Sequence, residues 1–301
     1  MEDPAMAERR SKIDKSNSSA KDSRSFETIK VEVEGALGRL LLNRPERLNA
    51  ISTTMLQEIV EAARWFDSHR ELRVVILSGA GRAFCAGADL QNSPAAAAMP
   101  EARHSWIYRR EAGQYGLRAA DALEQMRAVT IAQVHGYAVG GGVVFISACD
   151  LRVAADDASF FIPEIDLGIP LTWGAIPRLV RDIGPALTKE LVMTCRRFAP
   201  AEAKAIGFIN RVVPAADLER EVNQLAAELI AKPSVPIVIT KEHVNAVART
   251  IGATAFADGD SLIAALGDEE SRAVGATYMA RTISRRSSTE ASKSSRRSPP
   301  R

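Results

Sequence analysis

The spacing of apolar residues changes period several times along the chain, and each change marks an element. Lys30–Val33 and Gly38–Leu42 read as two short strands, with a turn at Glu34-Gly35. From Ser52 the spacing lengthens. Met55, Ile59, Ala62, Ala63 and Phe66 fall on one helical face, so a helix is predicted over Ser52–Trp65, with Ser52 or Thr53 as N-cap. Arg73–Leu77 returns to a strand. Glu101–Met126 is a long helical segment carrying Trp106, Tyr108 and Tyr115, after an alanine-rich loop at Ser93–Pro100. These aromatics suit ordinary core as well as a wall over a pocket. Ile131–Val134 reads as a buried strand and Val143–Ala148 as a short apolar helix. Helices are predicted over Ile176–Arg181, Pro185–Thr194 and Pro200–Ala205, then a strand at Asn210–Val213. Four helices follow, at Glu219–Ile230, Pro236–Ala248, Ala255–Leu266 and Glu269–Arg281.

Strand, strand, helix recurs as a unit, which makes the fold class α/β (α+β). Residues 1–25 are polar, of mixed charge and without periodicity, the pattern of a disordered segment. Residues 26–215 form the strand-and-helix core, residues 216–281 a helical C-terminal region, and residues 282–301 a basic, Ser/Arg-rich disordered tail.

Two stretches carry candidate chemistry. Gly140-Gly141-Gly142 stands immediately before the apolar helix, where the first backbone N–H groups of a helix are unpaired and no Cβ keeps a ligand away. The helix dipole favours negative charge there. A tight turn or close helix packing explains the triplet equally well. Upstream, the strand of Val74–Leu90 runs into Gly79, Gly81 and the small-residue loop Cys85-Ala86-Gly87-Ala88-Asp89. Two strand-to-loop units, each with a bare amide, can grip one carbonyl oxygen from two sides.

Composition narrows the setting. A chain of 301 residues buries a substantial core, and a net charge of +2 gives no argument for nucleic acid as a partner. Three scattered cysteines form neither a disulfide framework nor a metal pattern, so reduced thiols and no metal are expected. An acidic N-terminal stretch without an apolar run, no 18-residue apolar segment, and a Pro-Pro-Arg end predict a cytoplasmic protein without a membrane span.

The two glycine-bearing segments resemble the oxyanion-hole segments of the enoyl-CoA hydratase/isomerase (crotonase) superfamily, and Asn43–Ser52 (NRPERLNAIS) resembles its first signature. The resemblance covers roughly Phe26 to Arg281. It implies a crotonase-like spiral of ββα repeats and a C-terminal helical region that assembles homotrimers or homohexamers. It implies an acyl-CoA thioester as substrate, with coenzyme A as part of that substrate and no permanently bound cofactor. By the same resemblance, the N–H groups of Ala88 and Gly141 hold the thioester oxygen. The carbonyl of Ala86 meets the adenine, and Arg47 meets the CoA phosphates, although a plain surface arginine is as good an account of Arg47.

The acids depart from the family's hydratase pattern. Hydratases of the family use two glutamates, and the first position is Val144 here while the second, Pro163-Glu164, is intact. Adding water needs one group to take a proton and another to deliver one, and valine does neither. Single-glutamate members resemble Δ3,Δ2-enoyl-CoA isomerases, with Glu164 as the proton shuttle. Dienoyl-CoA isomerases carry acids at the Val144 and Thr172 positions, both absent. Asp166 reads as structural, His135 as a turn residue, and Trp173 replaces a small residue. Alternatives stay open: Glu164 as a cap or ion-pair member; weak hydratase or thioester hydrolase activity recruiting Glu111, Asp121 or Glu124; or a non-catalytic acyl-CoA binding protein.

Overall fold

The computed structural model describes residues 21–90, 105–250 and 255–295. The expected disorder of residues 1–20, the Ser93–Pro100 loop and the last residues of the basic tail lie outside this range. Among the described residues, seven strands form one sheet. A hairpin of β1 (Lys21–Ser25) and β2 (Ile29–Glu34) pairs antiparallel with β3 (Leu37–Leu42). The remaining neighbours, β4 (Val74–Gly79), β5 (Val129–Val134), β7 (Leu151–Ala155) and β9 (Arg211–Val213), are all parallel.

The parallel pairing follows from a winding path. Each turn leaves the large sheet, touches a second, narrow row, and returns through a helix. That row runs through the bridges Ile51↔Ala88 and Cys85↔Ala138 and the parallel pair β6 (Tyr137–Val139) with β8 (Ser159–Phe161). The returning helices are α1 (Thr53–Ser68), α2 (Trp106–Gln125), α3 (Gly141–Ala148) and α4 (Ala175–Thr194). This is the expected spiral of ββα repeats. Then come α5 (Pro200–Ala205), α6 (Leu218–Ile230), α7 (Ser234–Arg249), α8 (Asp258–Gly267) and α9 (Glu269–Ser295).

Both faces of the large sheet are covered. Val75 and Leu77 of β4 join the main core with α1, α2 and α3, while Val74 and Ile76 face α6 with Val129, Ile131, Val153, Val222 and Ala226. A strand buried on both sides reads as an unbroken apolar run, which is why β4 lacks alternation. Ser52 caps α1, its Oγ accepting from the Met55 N–H at 3.1 Å, an arrangement worth about 1 kcal/mol. In α4 the helix breaks at Gly184 (φ 78°, ψ 165°) before Pro185, the interruption expected between the Ile176 and Pro185 stretches.

Two boundaries differ from expectation. Lys21–Ser25 lies in the segment read as disordered, yet it pairs residue by residue with β2. Its five side chains are exposed, so backbone pairing and surface ion pairs such as Lys21–Glu32 and Arg24–Glu61 define it, and no apolar pattern announces it. Helix α9 runs past Arg281 to Ser295, into the stretch read as tail.

Candidate active site

The site is built where the second row of strands meets the first turn of α3. Ile51 N–H donates to the Gly87 carbonyl and Asp89 N–H to the Ile51 carbonyl, both at 2.8 Å. Parallel pairing with the residues on either side of Ala88 leaves the Ala88 N–H facing away from Ile51, and Ala88 lines the cavity. The loop is held from behind by Asn49. This fully buried residue sits at φ 55° and donates from Nδ2 to the carbonyls of Ala80 and Ala83, both at 2.8 Å, and accepts at Oδ1 from Arg44 N–H at 2.9 Å. Arg44 adds an ion pair to Asp89 at 2.9 Å. Asn49 lies inside the quoted signature but does not stand out there, because its partners are 31 and 34 residues away.

Gly140 precedes α3 at φ 48°, ψ −111°, a conformation suited to glycine, and donates to the Phe161 carbonyl at 2.8 Å. Gly141 follows as the first helical residue, with its N–H in the unpaired first turn. A Cβ on Gly140 would collide with Glu164 Oε1, one on Gly141 with the Trp173 ring, and one on Gly142 would come 2.9 Å from Cys85. The triplet is therefore both a bare N-terminus and a close-packed one.

Ala88, Gly141, Val144, Glu164, Trp173 and Leu262, with Ile169–Thr172, line one cavity of ≈ 40 Å³. The expected site residues Glu164, Ala88 and Gly141 thus meet. Glu164 sits at the head of a tight turn in which Leu167 N–H bonds the carbonyls of Pro163 and Glu164, and Ile169 N–H bonds Glu164 O at 2.9 Å. Its Oε2 is buried without a hydrogen-bond partner. Burial pushes its carboxyl up to about 7, with its own backbone N–H pulling weakly the other way. Val144, 2% exposed, supplies apolar surface on the same wall.

Arg47, in a 3₁₀ turn over Pro45–Arg47, and Ala86, partly buried on the loop before Ala88, do not line the cavity. Both stand on the segments that frame it. Thr172 lines the wall, and Asp166 is exposed beyond the turn. His135 shares a hydrogen bond between its Nε2 and the Gly81 carbonyl at 3.0 Å, the turn role expected of it. Burial pushes the Cys85 and Cys149 thiols up to about 12, which makes them inert near neutral pH. Among the described residues no group of three or more His, Cys, Asp or Glu is placed to hold a metal ion.

The reserve acids on α2 are committed elsewhere. Arg178 donates to Asp121 at 2.7 Å and to Glu124 at 2.8 Å, and Arg181 donates to Glu124 at 2.7 Å. Burial works against the charge of Glu124, but the Arg178 and Arg181 guanidiniums hold its carboxyl below the usual range. Glu111 is exposed on the same helix. None of the three lines the cavity.

A family model described as enoyl-CoA hydratase/isomerase matches residues 32–283. The chain belongs to this family. A crotonyl-CoA hydratase from Syntrophomonas wolfei is 34% identical over 222 residues, covering 73% of this chain and 82% of that protein. A peroxisomal Delta(3,5)-Delta(2,4)-dienoyl-CoA isomerase from Arabidopsis thaliana is 34% identical over 224 residues, covering 72% and 80%. A crystal structure of an enoyl-CoA hydratase subunit I from Geobacillus kaustophilus matches with a TM-score of 0.67 and 35% identity, covering 82% of this chain and 93% of that one. The crotonase resemblance read from the motifs is therefore correct, and the chain is an enzyme of the enoyl-CoA hydratase/isomerase family acting on acyl-CoA. No described helix is long and apolar enough to cross a membrane.

Proposed function

We propose that this member of the enoyl-CoA hydratase/isomerase family is a Δ3,Δ2-enoyl-CoA isomerase with one carboxylate, Glu164, moving the proton. The observation that carries the reading is a cavity wall on which, among the described residues, Glu164 is the one ionisable side chain, with an unpartnered buried Oε2, beside the apolar Val144. Ionised Glu164 takes a proton from C2 of a 3-enoyl thioester. The electron pair moves onto the thioester oxygen, and the resulting enolate is held by the N–H groups of Ala88 and Gly141, each such donor being worth about 3–4 kcal/mol at the transition state. The same carboxyl, now protonated, returns the proton to C4 as the double bond shifts to C2–C3. No water enters the balance. A carboxyl that titrates near 7 suits both halves of the transfer.

In this reading the CoA part of the substrate meets Arg47 through its phosphates and the Ala86 carbonyl through its adenine. The protein works in the cytoplasm as a trimer or paired trimers. The exposed apolar side chains of Val235, Ile239, Val244 and Val247 on α7 support such an assembly. A second reading, hydration of 2-enoyl thioesters, is favoured by the similarity to a crotonyl-CoA hydratase and opposed by Val144 and by the ion-paired Asp121 and Glu124.

The deciding experiment gives wild type and Glu164→Gln both 3-hexenoyl-CoA and 2-hexenoyl-CoA, following conjugated-thioester absorbance and deuterium uptake at C2 and C4. Conjugation of the 3-enoyl substrate that vanishes in the variant supports the isomerase. Loss of 2-enoyl absorbance in wild type supports the hydratase. Acyl-CoA binding with neither turnover nor exchange leaves a binding protein.

A further inference from the structure

Trp173 is the bulkiest side chain on the cavity wall, and the fold makes unusual room for it. Its five-membered ring lies on Gly116 in the middle of α2, and its benzo edge lies on Gly141. A Cβ at either glycine would collide with the indole. Phe145, one turn further along α3, stacks on it at 6.3 Å and 26°. Two glycines on two helices therefore yield their side-chain space to one ring.

The backbone beneath the ring is fixed from outside the cavity. Trp173 (φ 63°) and Gly174 (φ 69°) are both left-handed, a conformation that a bulky residue holds only when its surroundings impose it. Gly174 N–H donates to Asp258 Oδ2 at 2.7 Å. Arg178, itself buried, donates to the carbonyls of Trp173 at 3.2 Å and Gly174 at 3.1 Å. The remaining cavity of ≈ 40 Å³ is room for about three water-sized groups, at roughly 10–15 Å³ each.

We infer that Trp173 is the specificity-determining residue of the site: its indole fills the space between Gly116 and Gly141 into which the cavity would extend, and it restricts the enzyme to CoA thioesters of short acyl chains. The inference rests on the acyl-thioester reading of the cavity and not on the proton transfer by Glu164. Replacing the indole by hydrogen joins its volume to the cavity between Gly116 and Gly141, and a long chain then has a place to go.

The test uses two unreactive saturated probes, butanoyl-CoA and dodecanoyl-CoA, titrated calorimetrically into the full-length wild type, Trp173→Gly and Trp173→Phe. Wild type is expected to bind butanoyl-CoA at least tenfold more tightly than dodecanoyl-CoA. Trp173→Gly should level or reverse that ratio, and Trp173→Phe should reduce it. If Trp173→Gly does not fold, the wild type and Trp173→Phe still decide. Equal or tighter binding of dodecanoyl-CoA by wild type overturns the inference alone. Binding of neither probe overturns it together with the acyl-thioester reading, whereas a failed isomerase assay with the chain-length preference intact leaves it standing.

Discussion

Glu124 is buried and Glu164 half-buried with its Oε2 shut off from water, and their surroundings push their carboxyls in opposite directions. Glu164 faces Gly140, the cavity and apolar walls, with Oε2 unpartnered and its carboxyl pushed up to about 7. Glu124 is clamped by Arg178 and Arg181, which hold it below the ordinary carboxylate range against the pull of burial. The contrast separates two uses of one side chain. A carboxylate tied to guanidiniums is a fastener with no affinity for a substrate proton near neutral pH. A carboxylate with one oxygen buried and unpartnered is poorly stabilised as an anion, which suits the base role proposed for Glu164.

The contrast breaks most sharply at Glu164. Glu164→Gln should lower kcat for 3-hexenoyl-CoA by roughly 10²–10⁴-fold, the usual span for a general acid–base group, with the melting temperature at pH 8 unchanged or raised. Glu124→Ala should do the reverse. It leaves Arg178 and Arg181 with fewer counter-charges inside the fold, and urea unfolding should show a loss of roughly 3–5 kcal/mol.

Stability against pH sharpens the same pair. Burial pushes the Glu164 carboxyl up to about 7 from its ordinary 4.5, so the native state holds the proton more tightly than the unfolded chain does. Its contribution is fully present below pH 4.5 and is lost as pH rises toward 7, by at most about 3 kcal/mol. Glu124 is shifted down, so its contribution is present above 4.5 and is lost as pH falls below it. Unfolding of wild type and Glu164→Gln between pH 4 and 8 should therefore diverge at the alkaline end. Over the same range kcat/KM of wild type should fall about tenfold per unit below pH 7, because in the proposed mechanism only ionised Glu164 accepts the C2 proton. The smallest effect is expected from Val144→Glu, which places a second carboxyl on the Glu164 wall. It should move the acid limb of that profile upward by on the order of one unit, read from the pH dependence of kcat/KM.

What the sequence disclosed follows the reach of the interactions. The Ser52 cap involves a partner three residues away, and the break in α4 is written in Gly184-Pro185; both are local, and both were legible. The meeting of Ala88, Gly141 and Glu164 was legible only because three motifs together resemble a family. Strands β6 and β8 are three residues each, too short for any period to show. Asn49 behind the loop, the Arg178 pairing with Glu124 across 54 residues, and the seating of Trp173 between Gly116 and Gly141 all depend on contacts between distant segments. No window of sequence contains both partners.

Leu262 of α8 completes the cavity wall, and α9 presses on the turn that carries Glu164, where a Cβ on Gly168 would collide with the Ser271 carbonyl. The site is thus finished by residues made long after its proton carrier. At roughly 5–20 residues per second, the ribosome takes several seconds to travel from Glu164 to Leu262. Throughout that interval Ala88, Gly141 and Glu164 are already in the nascent chain, but the Leu262 side of their cavity is not. Until α8 arrives, the wall that Leu262 completes is open apolar surface.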